Sequence, residues 1–109
     1  MKEIKAYIKK HKLDEVSRAL RKIDGLTGIS IMDTYGHGVG WKRSDGQGAV
    51  AYQYGVKLEI ICADQLAEQV VTVIEKAAHT GLKGDGKIYI GTIEQAVRIS
   101  TGERGNKAI

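Results

Sequence analysis

The chain has 109 residues, with 17 Lys and Arg against 13 Asp and Glu and a net charge of +4. That length gives one domain and leaves no room for a second, and 42% hydrophobic with 28% charged residues excludes global disorder. A pI near 9.2 suits nucleotide phosphates, a nucleic acid or an acidic partner and selects none of them.

A core this small makes a deep private active site hard to build, so a pocket shared with a loop or another subunit is expected. The single cysteine, Cys62, excludes an internal disulfide and a Cys-based zinc framework. It fits a reducing, cytoplasmic setting. No apolar run follows Lys2, and no stretch approaches the ~18 apolar residues of a span. Neither a signal peptide nor membrane insertion is expected.

In chain order, Ile4, Ala6 and Ile8 alternate with Lys5, Tyr7 and Lys9, the period of a half-buried strand over 2–9. Leu13, Val16, Ala19, Leu20 and Ile23 then share one side of a helix. Asp14 and Glu15 in its first turn and Arg21 and Lys22 in its last complement the helix dipole, and Gly25 stops it. Gly28 to Tyr35 reads as a second strand. Residues 36–49 hold five glycines around Trp41, Lys42, Arg43, Ser44 and Asp45 and keep no period. A structureless connection of that length is usually functional.

Val50 to Cys62 is a third strand region, with Val56, Leu58 and Ile60 on one face and Lys57 and Glu59 on the other. Asp64 is the candidate N-cap of a second helix, whose stripe is Leu66, Val70, Val73, Ile74 and Ala77. A glycine loop covers 80–87, and Ile88 to Ile93 forms a fourth strand. The tail, 94–109, holds a short helical run and then a turn at 101–105. The order β-α-β-β-α-β is the α+β, ferredoxin-like arrangement. Two helices cover one face of such a sheet. The other face takes Lys5, Tyr7, Lys57, Glu59, Ile61, Tyr89 and Ile93, a mixture that fits burial against other subunits.

Gly84-Asp85-Gly86-Lys87 is the strongest local signal for chemistry. Glycines let backbone N–H groups turn inward around an anion, and a following lysine adds a point charge for phosphate. An ordinary Asp-Gly turn explains the same residues, and the spacing is not that of a P-loop. Gly36-His37-Gly38-Val39-Gly40 offers a second backbone approach, or a simple hinge. Arg98 is either a phosphate clamp or a surface arginine. His11, His37 and His79 form no pair at metal-ligand spacing. Cys62 more often packs than reacts, and no constellation argues for catalysis. Lys9, Lys10, His11 and Lys12 read as a solvated turn. Direct nucleic-acid binding lacks the aromatic run that base-stacking sheets of this topology carry.

Taken together, Met1–Lys9, Lys12–Val16 and above all Ala77–Tyr89 resemble the nitrogen regulatory protein P-II family. The last segment matches its A-x-T-G-x-x-G-D-G-K-I signature, and Glu94–Ile99 and Thr101–Gly105 continue the likeness. The resemblance implies a noncatalytic, trimeric signal-transduction protein of 1–109. ATP or ADP, with Mg left open, would sit between subunits. A T-loop at about 36–54 would dock on a membrane transporter, enzyme or transcription regulator. A phosphate loop would lie at 80–87 and a C-terminal segment at 94–109. The implied nucleotide residues are Gly38, Glu59, Ile61, Gly84, Asp85, Gly86, Lys87 and Arg98, with Trp41, Lys42 and Arg43 meeting the partner.

The departures also carry information. The family usually has G-F-G-R followed by Gln at the T-loop base; here Gly36-His37-Gly38-Val39 precedes Gly40. The T-loop is shorter, Gly46 stands at the place of the modified tyrosine, Gly55 replaces a lysine and Ser100 an arginine. The resemblance therefore implies no 2-oxoglutarate response, no tyrosine uridylylation, and weaker ATP binding or a preference for ADP or AMP. A metal-binding or metal-efflux-associated relative, with His37 as ligand, is the alternative.

Overall fold

The computed structural model describes residues 1–36 and 53–109. Strand β1 (Lys2–Lys9) runs into a 3-10 turn at Lys10–Lys12 and helix α1 (Leu13–Arg21). Strand β2 (Ser30–Gly36) and strand β3 (Gln53–Cys62) follow, then helix α2 (Asp64–Ala78) and strand β4 (Gly86–Thr92). A second 3-10 turn at Gly105–Ala108 closes the chain. The sheet is antiparallel in the order β2-β3-β1-β4, so β1 and β3 are central. This is the ferredoxin-like arrangement.

The two-residue period of β1 and β3 decides which side is sealed. Ile4 pairs with Ile60, Ala6 with Leu58 and Ile8 with Val56, and all six are buried. Val16, Leu20 and Ile23 from the α1 region and Ala67, Val70, Ile74 and Ala78 from α2 complete the same core. Full burial of an aliphatic side chain contributes about 1.5–3 kcal/mol, so this one layer dominates the cohesion of the chain. Cys62 belongs to it, and burial pushes its thiol pKa up, which makes it a packing group.

The opposite face presents Lys5, Tyr7, Lys57, Glu59 and Tyr89 from paired positions of β1, β3 and β4. Tyr7 and Tyr89 meet edge to face with centroids 6.0 Å apart, and Lys57 Nζ lies 5.8 Å from the Tyr7 ring centre. Tyr89 remains 54% exposed in the single chain. No helix of the described residues is long and apolar enough to cross a membrane.

Several local expectations change. Asp64 is the first residue of α2 rather than its cap; the cap position is Ala63, without a side-chain bond. The Asp64 carboxylate instead pairs with the Met1 amino group at 2.8 Å, which holds its pKa below the usual range. β4 starts two residues early, at Gly86, because Gly86 pairs with Ile8. The tail forms no α-helix before residue 101. Val97 bridges to Arg104, the Arg98 N–H donates to the Glu103 carbonyl at 2.9 Å, and the Gly105 N–H donates to the Ala96 carbonyl at 3.0 Å. Those turn bonds take the backbone groups that a helix needs. Val50, Ala51 and Tyr52, expected at the start of the third strand, lie outside the described residues.

Candidate functional site

The end of α2 and the start of β4 are joined by a loop whose shape one carboxylate dictates. Asp85 accepts a hydrogen bond from the Thr80 N–H at 2.8 Å and a second from the Thr80 hydroxyl. Lys9 Nζ lies 3.2 Å from Asp85 Oδ1 and donates to Thr80 Oγ1 at 3.2 Å. The Leu82 N–H donates to the same hydroxyl oxygen at 3.1 Å. His79 Nδ1 stands 3.6 Å from Asp85 Oδ2.

The Thr80 donors, aided by Lys9, hold the Asp85 carboxyl well below the usual carboxylate range. The carboxylate is thus committed to fixing the loop from inside. Lys9, expected in a solvated turn, is instead a largely buried strut, because the β1 alternation brings it to the open face opposite the loop.

Gly84 and Gly86 then carry the chain through φ +83° and +109°, the region that a side chain disfavours. At Gly86 the requirement is also steric. An added Cβ would lie 1.6 Å from the Tyr7 carbonyl oxygen, so only glycine lets β4 join β1 there.

This loop forms one wall of an open cleft of about 810 Å³. Gly84, Asp85, Gly86 and Lys87 line it together with Tyr7, Ile8 and Lys9 of β1, Thr34, Tyr35 and Gly36 of β2, and Gln53, Tyr54 and Gly55 of β3. Tyr35 and Tyr54 are both 71% exposed, and their ring centres are 6.1 Å apart at the rim. The arrangement is chemically suited to an anion: glycine backbone and a lysine beside an open cleft.

The four residues Gly84–Lys87 stand together in the cleft. Glu59 and Ile61 lie further along the open face and do not line it. Lys57 donates to Glu59 across 2.7 Å, which lowers the Glu59 pKa and raises that of Lys57. Arg98 is in the C-terminal segment, where its guanidinium donates to the Ile109 carbonyl at 3.2 Å. Gly38, Trp41, Lys42, Arg43 and the alternative ligand His37 lie outside the described residues.

Sequence reasoning missed Lys9, Gln53 and the Tyr35–Tyr54 pair as parts of the cleft, and Thr80 as the donor that fixes Asp85. For Lys9 the signal was present in the strand period. For Gln53 it was not, since only the pairing of β1 with both β3 and β4, Lys9 with Gly55 and Ile8 with Gly86, brings that end of β3 to the loop.

A four-stranded antiparallel sheet under two helices, with a glycine loop at one end, defines an α+β ferredoxin-like domain and shows no catalytic constellation among the described residues. The family model described as Nitrogen regulatory protein P-II matches residues 1–103. Nitrogen regulatory proteins P-II of Azospirillum brasilense, Rhodospirillum rubrum and Bradyrhizobium diazoefficiens are 43%, 45% and 44% identical to the chain. Each alignment spans 117 positions and covers 100% of both chains.

The chain belongs to the nitrogen regulatory protein P-II family. It is a noncatalytic regulator in nitrogen signal transduction. Nothing in these relatives supports the metal-binding alternative, and no group of three or more His, Cys, Asp or Glu gathers among the described residues.

Proposed function

We propose that three copies of this chain assemble through the open faces of their sheets and bind ATP or ADP in the clefts between them. The bound state then passes to a partner through the loop at about 36–54. The observation that carries this reading is the cleft wall at Gly84–Lys87, where Asp85 faces inward to Thr80 and Lys9 and leaves the loop backbone and Lys87 for phosphate. The cleft lies at one edge of a face that in the single chain leaves Tyr7 and Tyr89 substantially exposed, which supports completion by a neighbour.

In this reading Gly84, Gly86 and Lys87 hold phosphate, and Asp85 holds the loop. Gly38 approaches from the loop base, and Glu59 and Ile61 meet the nucleoside. Arg98 reaches in from the neighbouring subunit. Trp41, Lys42 and Arg43 meet the partner, a cytoplasmic enzyme, a transcription regulator or the cytoplasmic side of a transporter. The segment 94–109 packs beside the neighbour's cleft. Gly40 in place of the family's Gln removes a 2-oxoglutarate contact, and Gly46 leaves no tyrosine to modify at the loop tip.

Sedimentation and isothermal titration test this together. The expected result is a species of three times the 11.9 kDa chain mass that gives heat with ATP or ADP, unchanged by 2-oxoglutarate. A monomer without nucleotide heat overturns the reading, and ATP binding strengthened by 2-oxoglutarate overturns its last part.

A further inference from the structure

Gln53 is the first residue of β3 and pairs with Gly36. The strand alternation puts it on the open face in line with Gly55, Lys57 and Glu59. From there its side chain crosses to the phosphate loop. A Cβ added at Gly84 would lie 2.8 Å from Gln53 Nε2 and 3.6 Å from Oε1. The carboxamide therefore rests against Gly84, and the missing Cβ is what admits it.

Resting on the reading of the cleft as a nucleotide site, we propose that Gln53 is a direct polyphosphate ligand whose Nε2–H donates to a phosphate oxygen beside Gly84–Lys87. Four considerations favour this role. Among the described lining residues, Lys9 is committed to Asp85 and Thr80, which leaves Lys87 as the phosphate cation. A neutral amide adds a directed donor there without the desolvation cost of another buried charge. Gly55, next to Gln53 on the same face, projects no side chain between the amide and the cleft floor; a Cβ there would lie 2.9 Å from the Ile8 carbonyl oxygen. Finally, the donor sits on a strand rather than on the loop it faces, so an anion bound by both ties the start of β3 to the start of β4.

The test is calorimetric titration of the full chain with ATP and ADP, comparing wild type with Gln53→Ala and Gln53→Glu. Loss of a hydrogen bond to a charged group predicts about tenfold weaker binding for Gln53→Ala. Gln53→Glu keeps the shape against Gly84 but turns a donor into a charge that repels phosphate, so it is expected to bind more weakly than Gln53→Ala. Gly84→Ala, whose Cβ collides with the carboxamide, also loses affinity. Wild-type affinity in Gln53→Glu assigns the side chain to packing alone and overturns the proposal while the nucleotide reading stands. Wild-type affinity in both variants does the same. No heat with the wild-type chain overturns both.

Discussion

The two faces of the sheet are built from the same strands and behave as different materials. On the helix side, Ile4, Leu58 and Ile60 are at most 1% exposed and belong to one hydrophobic core. One residue along each strand, Lys5, Tyr7, Lys57 and Glu59 form a face of ion pairs and ring contacts that still meets solvent. The first face makes the chain fold. The second, with the glycine loop at its edge, is the face to which the proposed function assigns ligand and assembly. The lesson is that a strand buries alternate residues for stability and leaves the residues between them free to be chosen for binding.

Substitutions can break that division, starting with the largest expected effect. Leu58→Ala opens a cavity in the sealed face and is expected to cost about 2–5 kcal/mol, read from the urea midpoint. Gly86→Ala strikes where the two faces meet the loop. Both its φ of +109° and the approach of the Tyr7 carbonyl forbid a Cβ, so destabilisation by more than about 1 kcal/mol and loss of nucleotide heat are expected. A fully stable Gly86→Ala chain refutes the requirement for glycine at the β1–β4 junction.

Asp85→Asn sharpens the comparison through pH. The folded pKa of Asp85 is depressed by the Thr80 donors, so its contribution is complete above the unfolded value of about 4. It disappears as pH falls from there toward the lower folded value. Urea midpoints measured from neutral to acid pH should therefore fall more steeply for the wild type than for Asp85→Asn, with the two curves converging in acid. Parallel curves refute the loop-fixing role.

Tyr89→Ala is the mildest change for the single chain. It removes one edge-to-face contact, worth roughly 0.5–1.5 kcal/mol beyond its buried area. On the open face it is expected to weaken assembly in sedimentation more than it lowers the thermal midpoint of the dissociated chain. The reverse result returns this face to intramolecular packing.

Where the sequence was legible, one physical signal ran uninterrupted. The alternation of Ile4, Ala6 and Ile8 and the helical spacing of Val16, Leu20, Val70 and Ile74 each report a single buried face, and each is buried. The glycines at 84 and 86 likewise marked a turn, and both have positive φ. Legibility failed where a partner elsewhere in the chain claims a residue that its own neighbours assign otherwise. Asp64 has the chemistry of a cap, yet the Met1 amino group claims it. Glu94–Ile99 has helical composition, yet Arg104 and Gly105 draw it into a turn. Lys9 belongs by sequence to a basic cluster, yet Asp85, 76 positions later, holds it.

The residue pattern by itself determined the element order, the sealed face and the family, because periodicity and short signatures are local properties that one chain displays without folding. Only the tertiary structure decided that Lys9, Gln53 and Thr34 share a cleft with Gly84 and Gly86. Strand pairing, which no local pattern records, sets which ends of β1, β2 and β3 stand beside the loop that leads into β4.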